Sequence, residues 1–145
     1  MPEFILNKPP SPSKAHPFYD LDDFAKAYVE AMFFTNGDCG DDRKNILNEL
    51  GVRRLTRKSC RAIAADCKAF QDANVKLLRQ ACERDGYDEE RAGHDFWYTR
   101  QGHGVGYWDR SELDADGLGD ALTRAAETHG ECDVEVWRGW IHIQP

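Results

Sequence analysis

The spacing of apolar and polar positions divides this chain into helical blocks followed by strand blocks. A first helix is predicted to begin near Asp20, a good N-cap, with Asp23 adding a carboxylate to the first turn. Leu21, Phe24, Ala25, Tyr28, Val29 and Met32 then share one face at helical spacing, and Asn36-Gly37-Asp38 ends the run. A short helix is predicted over 42–50, with Ile46, Leu47 and Leu50 apolar and Gly51 as its stop. The longest periodic stretch covers 56–84, where Ile63, Cys67, Phe70, Asn74, Leu77, Leu78 and Ala81 mark a stripe that no Gly or Pro interrupts. Thr56 or Ser59 caps its start, and Asp85-Gly86 ends it.

The second half reads differently. Residues 92–110 hold Phe96, Trp97, Tyr98, Tyr107 and Trp108 together with Gly93, Gly102, Gly104 and Gly106. This composition predicts an aromatic β-hairpin, roughly 95–100 and 105–109, around a tight glycine turn. Alternation would put Phe96, Tyr98 and Arg100 on one face, and Trp97 and Thr99 on the other. Asp95, Asp109, Arg100 and Arg110 would then form cross-strand ion pairs. A helix follows over about 117–129, with Leu118, Ala121, Leu122, Ala125 and Ala126 facing inward. The chain closes on a second hairpin, Val134 to Trp137 and Trp140 to Ile143, joined at Arg138-Gly139. Helices first and then ββαββ give an α+β fold: N-terminal helices packed on an antiparallel sheet of about four strands. Phe70, Leu77, Phe96 and Tyr98 should then be largely buried.

Length and composition refine this picture. At 145 residues the chain suits one domain with a real core. Five prolines make residues 1–18 a Pro-rich arm, leaving 19–145 as the α+β domain. No apolar run is long enough to span a bilayer, and the start lacks a secretory pattern, so a cytoplasmic protein is expected. The five cysteines include no Cys-x-x-Cys pair, which argues against a disulfide framework.

Charge is segregated along the chain. The net charge is −7, yet residues 43–61 carry seven bases and one acid, while residues 111–136 carry eight acids and one base. The first of these segments can form a local basic patch despite the acidic whole.

Candidate chemistry is sparse. His94, Asp95, His103 and Asp109 are metal-ligand types, but their spacing matches no standard zinc pattern and no cysteine is near, so neither a metal nor another cofactor is expected. The run from Gly102 to Gly106 superficially resembles a phosphate loop, but such a loop should lead from a strand into a helix. Catalytic residues are not apparent, and no enzyme is expected.

The segment AGHDFWYTRQGHGVGYWDR, followed by LGDALTRAAETHGECDVEVWRGWIHI, resembles the C-terminal part of small proteins from bacteriophage and prophage genomes. Those proteins carry a similar GHDFW–TR–GHG–G–WDR block, then a helix and a terminal strand pair. The resemblance covers roughly residues 60–140 and brings no catalytic residues with it. It implies a phage-borne accessory protein acting inside a bacterial host, and by analogy an inhibitor of host defence such as an anti-CRISPR protein.

Two functions are therefore in view. One is an acidic inhibitor binding a host protein complex that handles nucleic acid, with Trp97, Arg100, His103, Trp108, Asp114, Asp116 and Asp120 at the contact. The other is a nucleic-acid-binding module using Arg53, Arg54, Arg57, Lys58 and Arg61, at the start of the second helix of a loose helix-turn-helix pattern.

Overall fold

A computed structural model describes residues 16–36, 47 and 50–144. Helix α1 (Asp23–Asn36) follows a 3-10 turn, Pro17–Asp20. Helices α2 (Arg57–Ala73), α3 (Val75–Cys82), α4 (Glu89–Arg100) and α5 (Leu118–Glu127) come next, and strands β1 (Asp133–Trp137) and β2 (Trp140–Gln144) end the chain. Leu47 and Leu50 are also helical, and the rest of the short helix expected over 42–50 lies outside the described residues. So do residues 1–15 of the Pro-rich arm, whereas His16 and Phe18 are buried against the body. Among the described residues, no helix is long and apolar enough to cross a membrane.

The core is a set of packed aromatic rings, not a helix layer on a broad sheet. Phe70 of α2 stacks on Phe96 of α4 at 4.2 Å between ring centroids, and Phe24 and Tyr28 of α1 close around them. Phe70 and Phe96 are fully buried, as expected, while Leu77 and Tyr98 are only partly so. The apolar face predicted for α1 is the buried one, although the helix starts later: Asp22, not Asp20, accepts the capping hydrogen bond, from the Ala25 N–H at 2.8 Å.

Residues 95–100 are not a strand. They finish α4, which begins at the N-cap Asp88 with Glu89 and Glu90 in its first turn. Ala92, Phe96 and Arg100 are buried at intervals of four, and so are Gly93 and Trp97, which is helical periodicity. Gly93 is a packing residue: a Cβ there would overlap the carbonyl oxygen of Phe24, so its absence lets α4 lie directly on α1. Gly102, at φ 71°, is the glycine that stops the helix. Residues Tyr107–Asp109 then form a 3-10 turn. The sheet consequently has two strands where about four were expected.

The long helical stretch is also divided. Asn74 adopts φ −126° and ψ 33°, and its side-chain amide donates to the Phe70 carbonyl at 2.8 Å, separating α2 from α3. The terminal hairpin agrees with its sequence pattern. Arg138 (φ 54°) and Gly139 (φ 79°) make the two-residue turn, and Trp137 lies opposite Trp140.

Candidate functional site

The basic segment and the terminal hairpin meet on one face. Val52 and Leu55 are buried, and the 3-10 turn between them throws Arg53 and Arg54 outward. Leu55 bridges to Ile141 of β2, and the Thr56 N–H donates to the Ile141 carbonyl at 3.1 Å. This pairing brings the start of α2 against the hairpin. Strand alternation turns Ile141 into the core and leaves Trp137, Trp140 and His142 on the other face. His16, Arg53, Thr56 and Arg57 join Trp137, Arg138, Trp140 and His142 around a cleft of about 720 Å³.

The cleft is positive and aromatic. Trp137 and Trp140 remain 59% and 42% exposed. The Arg138 guanidinium lies 4.6 Å from the centre of the Trp137 ring, and that of Arg54 lies 5.0 Å from the centre of the Trp140 ring. Helix α2 is capped by Thr56, whose hydroxyl accepts from the Ser59 N–H at 3.1 Å. Its first turn holds Arg57 and Lys58 and no acid, the reverse of what a helix N-terminus favours. Helix dipole and side chains thus add to one positive potential. Arg84, Arg91, Arg100 and Arg110 each pair with a carboxylate, whereas none of Arg53, Arg54, Arg57, Lys58 and Arg61 forms an ion pair with a described residue.

His16 ties the cleft floor to the body. Its Nδ1 accepts from the Phe18 N–H at 3.0 Å, and its Nε2 therefore carries the proton and donates to the Leu55 carbonyl at 2.8 Å. Burial lowers its pKa below the usual imidazole value. The Leu55 hydrogen bond opposes that shift, and the charges of Arg57 and Arg53 add to it. The ring is neutral, so the positive charge of the cleft comes from the arginines. The Nε2 of His142 is enclosed with no hydrogen-bond partner, and its ring meets Trp137 edge-on at 6.2 Å.

The residues expected to bind a partner protein are dispersed by the helical geometry of 89–100. Trp97 is fully buried, edge-on to Tyr28 at 5.2 Å, and its indole N–H donates to the Thr35 hydroxyl at 2.7 Å. Arg100 is interior as well: it donates to Asp66 at 2.8 Å, to the Tyr28 hydroxyl at 3.1 Å and to the carbonyls of Gly130 and His129. Both hold the core together and neither is an interface anchor. His103 is half-buried, its ring edge-on to Tyr98 at 6.1 Å and its Nε2 enclosed without a partner. Trp108, Asp114, Asp116 and Asp120 are exposed.

The expected ion pairing holds in part. Arg110 grips the fully buried Asp95 through its Nη2 at 2.6 Å and its Nε at 3.0 Å, from a loop instead of a facing strand. Trp137, Trp140 and Arg138 were not singled out from sequence as site residues. Their signal was present in the hairpin alternation, which leaves two tryptophans on a solvent face. Comparison with protein-family models, with curated proteins and with solved structures finds no match for this chain.

Proposed function

We propose that this chain is a binding module that takes single-stranded nucleic acid into the cleft between α2 and the terminal hairpin. The observation that carries the reading is the pair of exposed rings, Trp137 and Trp140, framed by Arg53, Arg54, Arg57 and Arg138. Bases stack on aromatic faces whatever their sequence, and arginines track the phosphates. Each tryptophan carries a guanidinium against its ring and stays partly exposed, as a stacking platform requires.

The net charge of −7 opposes this only weakly. Charges beyond about 8 Å are largely screened at physiological salt, so the local arginines dominate. The acid closest in register is Glu135, opposite His142 on the hairpin. Titrating a fluorescent single-stranded oligonucleotide across a salt series tests the reading. Four engaged arginines give a log–log slope of about −3. Charge reversal at Arg53, Arg54 and Arg57 should flatten that slope and weaken binding sharply. Unchanged binding by the reversed protein would refute it.

A second reading keeps the inhibitor of a host defence complex that the phage-protein resemblance implies. It is favoured by the exposure of Asp114, Asp116 and Asp120 and of Trp108. Charge reversal at those aspartates should then slow association with the host partner, in a salt-dependent way.

A further inference from the structure

We propose that Glu30, Glu90 and His94 form a site for a divalent first-row transition-metal ion, on the opposed faces of α1 and α4. The donor atoms of these three residues all lie within 4.8 Å of one another. Ligand atoms around one ion, each about 2.0–2.2 Å from it, stand at most about 4.4 Å apart. Small side-chain rotations close the remaining gap.

The backbone prepares this arrangement. Glu90 and His94 are four residues apart on α4, so both project from one face. Glu30 reaches across from α1, and its Oε1 lies 2.7 Å from His94 Nε2, which fixes the ring nitrogen turned toward the carboxylates. Gly93, beside His94, seats α4 on the Phe24 carbonyl and sets the separation of the two helices. The backbones that carry the three ligands are therefore held at a fixed separation.

The surroundings suit a cation. Glu30 and Glu90 line a cleft of about 370 Å³ whose other charged residues are Asp23, Asp88 and Glu89 against Lys26. One imidazole with two carboxylates selects zinc, manganese, iron, cobalt or nickel over magnesium and calcium, which take oxygen donors. The His94 and Glu30 side chains are 28% and 43% exposed, so water can complete the coordination sphere. This ligand set is invisible in local spacing because Glu30 stands far from the other two in sequence.

The test uses the full chain, stripped with a chelator and titrated calorimetrically with zinc chloride, with cobalt(II) absorption as a second readout. One ion should bind per chain. His94→Ala and Glu90→Gln should each weaken binding by at least about tenfold, since even outer-shell partners of a metal are worth about 10–100-fold. Glu127→Gln, an exposed acid on α5, should leave binding unchanged. Circular dichroism checks folding, and Glu90 is exposed, so Glu90→Gln carries the test alone if His94→Ala does not fold. No saturable zinc binding, or binding that survives the ligand substitutions, would overturn the proposal.

Discussion

Arg54 and Trp140 come from distant parts of the chain, and the guanidinium of one lies 5.0 Å from the centre of the other's ring. Trp140 faces Trp137 across the hairpin turn, and Arg138 covers Trp137 in the same way. Truncating either ring removes a cation–π contact and a cross-strand pair, each worth up to about 1 kcal/mol. Trp137→Ala and Trp140→Ala should therefore each lose about 1–2 kcal/mol in urea unfolding. Each should weaken single-strand binding by about 1–3 kcal/mol. A large loss of stability with unchanged binding would mean that the rings are structural.

Asp95 is the opposite case. It is fully buried and holds Arg110, while the Tyr87 hydroxyl donates to it at 2.8 Å. Removing one member of a buried pair leaves the other uncompensated, at about 3–5 kcal/mol. Arg110 is partly exposed, so Asp95→Asn should fall near the lower end, about 3 kcal/mol, in chemical denaturation. A change below about 1 kcal/mol would show that the pair is dispensable.

Gly93 and Gly102 separate two roles of glycine. Gly→Ala inside a helix ordinarily gains about 1 kcal/mol. At Gly93 the new methyl meets the Phe24 carbonyl, so Gly93→Ala should instead destabilise by about 1–3 kcal/mol. Gly102→Ala meets no close neighbour and should lose only the strain of φ 71° at a non-glycine residue, about 1–2 kcal/mol. Thermal unfolding of both variants checks the two losses, and a gain in stability at Gly93 would contradict the packing described for α1 and α4.

Stability should fall on mild acidification. His16 and His129 both have pKa values lowered from 6.5 by burial, with arginine charges adding to the effect: Arg57 and Arg53 at His16, Arg100 at His129. A lowered folded-state value means that the unfolded chain binds the extra protons first. The contribution is complete above pH 6.5 and is lost as pH drops below it toward the folded-state values. Urea midpoints at pH 7.5 and 5.5 measure this, and His16→Gln should shrink the difference to the share of His129. Equal midpoints for the parent at both values would contradict it.

The parts of the fold written in local periodicity were legible. The buried face of α1, the stripe through Ile63, Cys67 and Phe70, helix α5 and the terminal hairpin all follow their patterns. Residues 92–110 misled because aromatic and glycine-rich composition imitates a hairpin. The decisive signal was Asp88, an N-cap followed by two acids, which sets a helical phase that buries Ala92, Phe96 and Arg100 together. The site was legible only in halves. The basic run from Arg53 to Arg61 stands out in charge, and the two tryptophans stand out in alternation. Their meeting depends on the pairing of Leu55 with Ile141, a long-range contact that no local pattern encodes.

Stacking in the cleft can be read directly from the protein's own tryptophans. Of the four, Trp97 is buried, Trp108 lies outside the cleft, and Trp137 and Trp140 line it. Intrinsic fluorescence should be quenched saturably by an unlabelled single-stranded oligonucleotide. The double variant Trp137→Phe, Trp140→Phe should lose that quenching while its circular dichroism stays the same. No quenching of the parent protein at low salt, or equal quenching in the double variant, would contradict the assignment of this cleft to single-stranded nucleic acid.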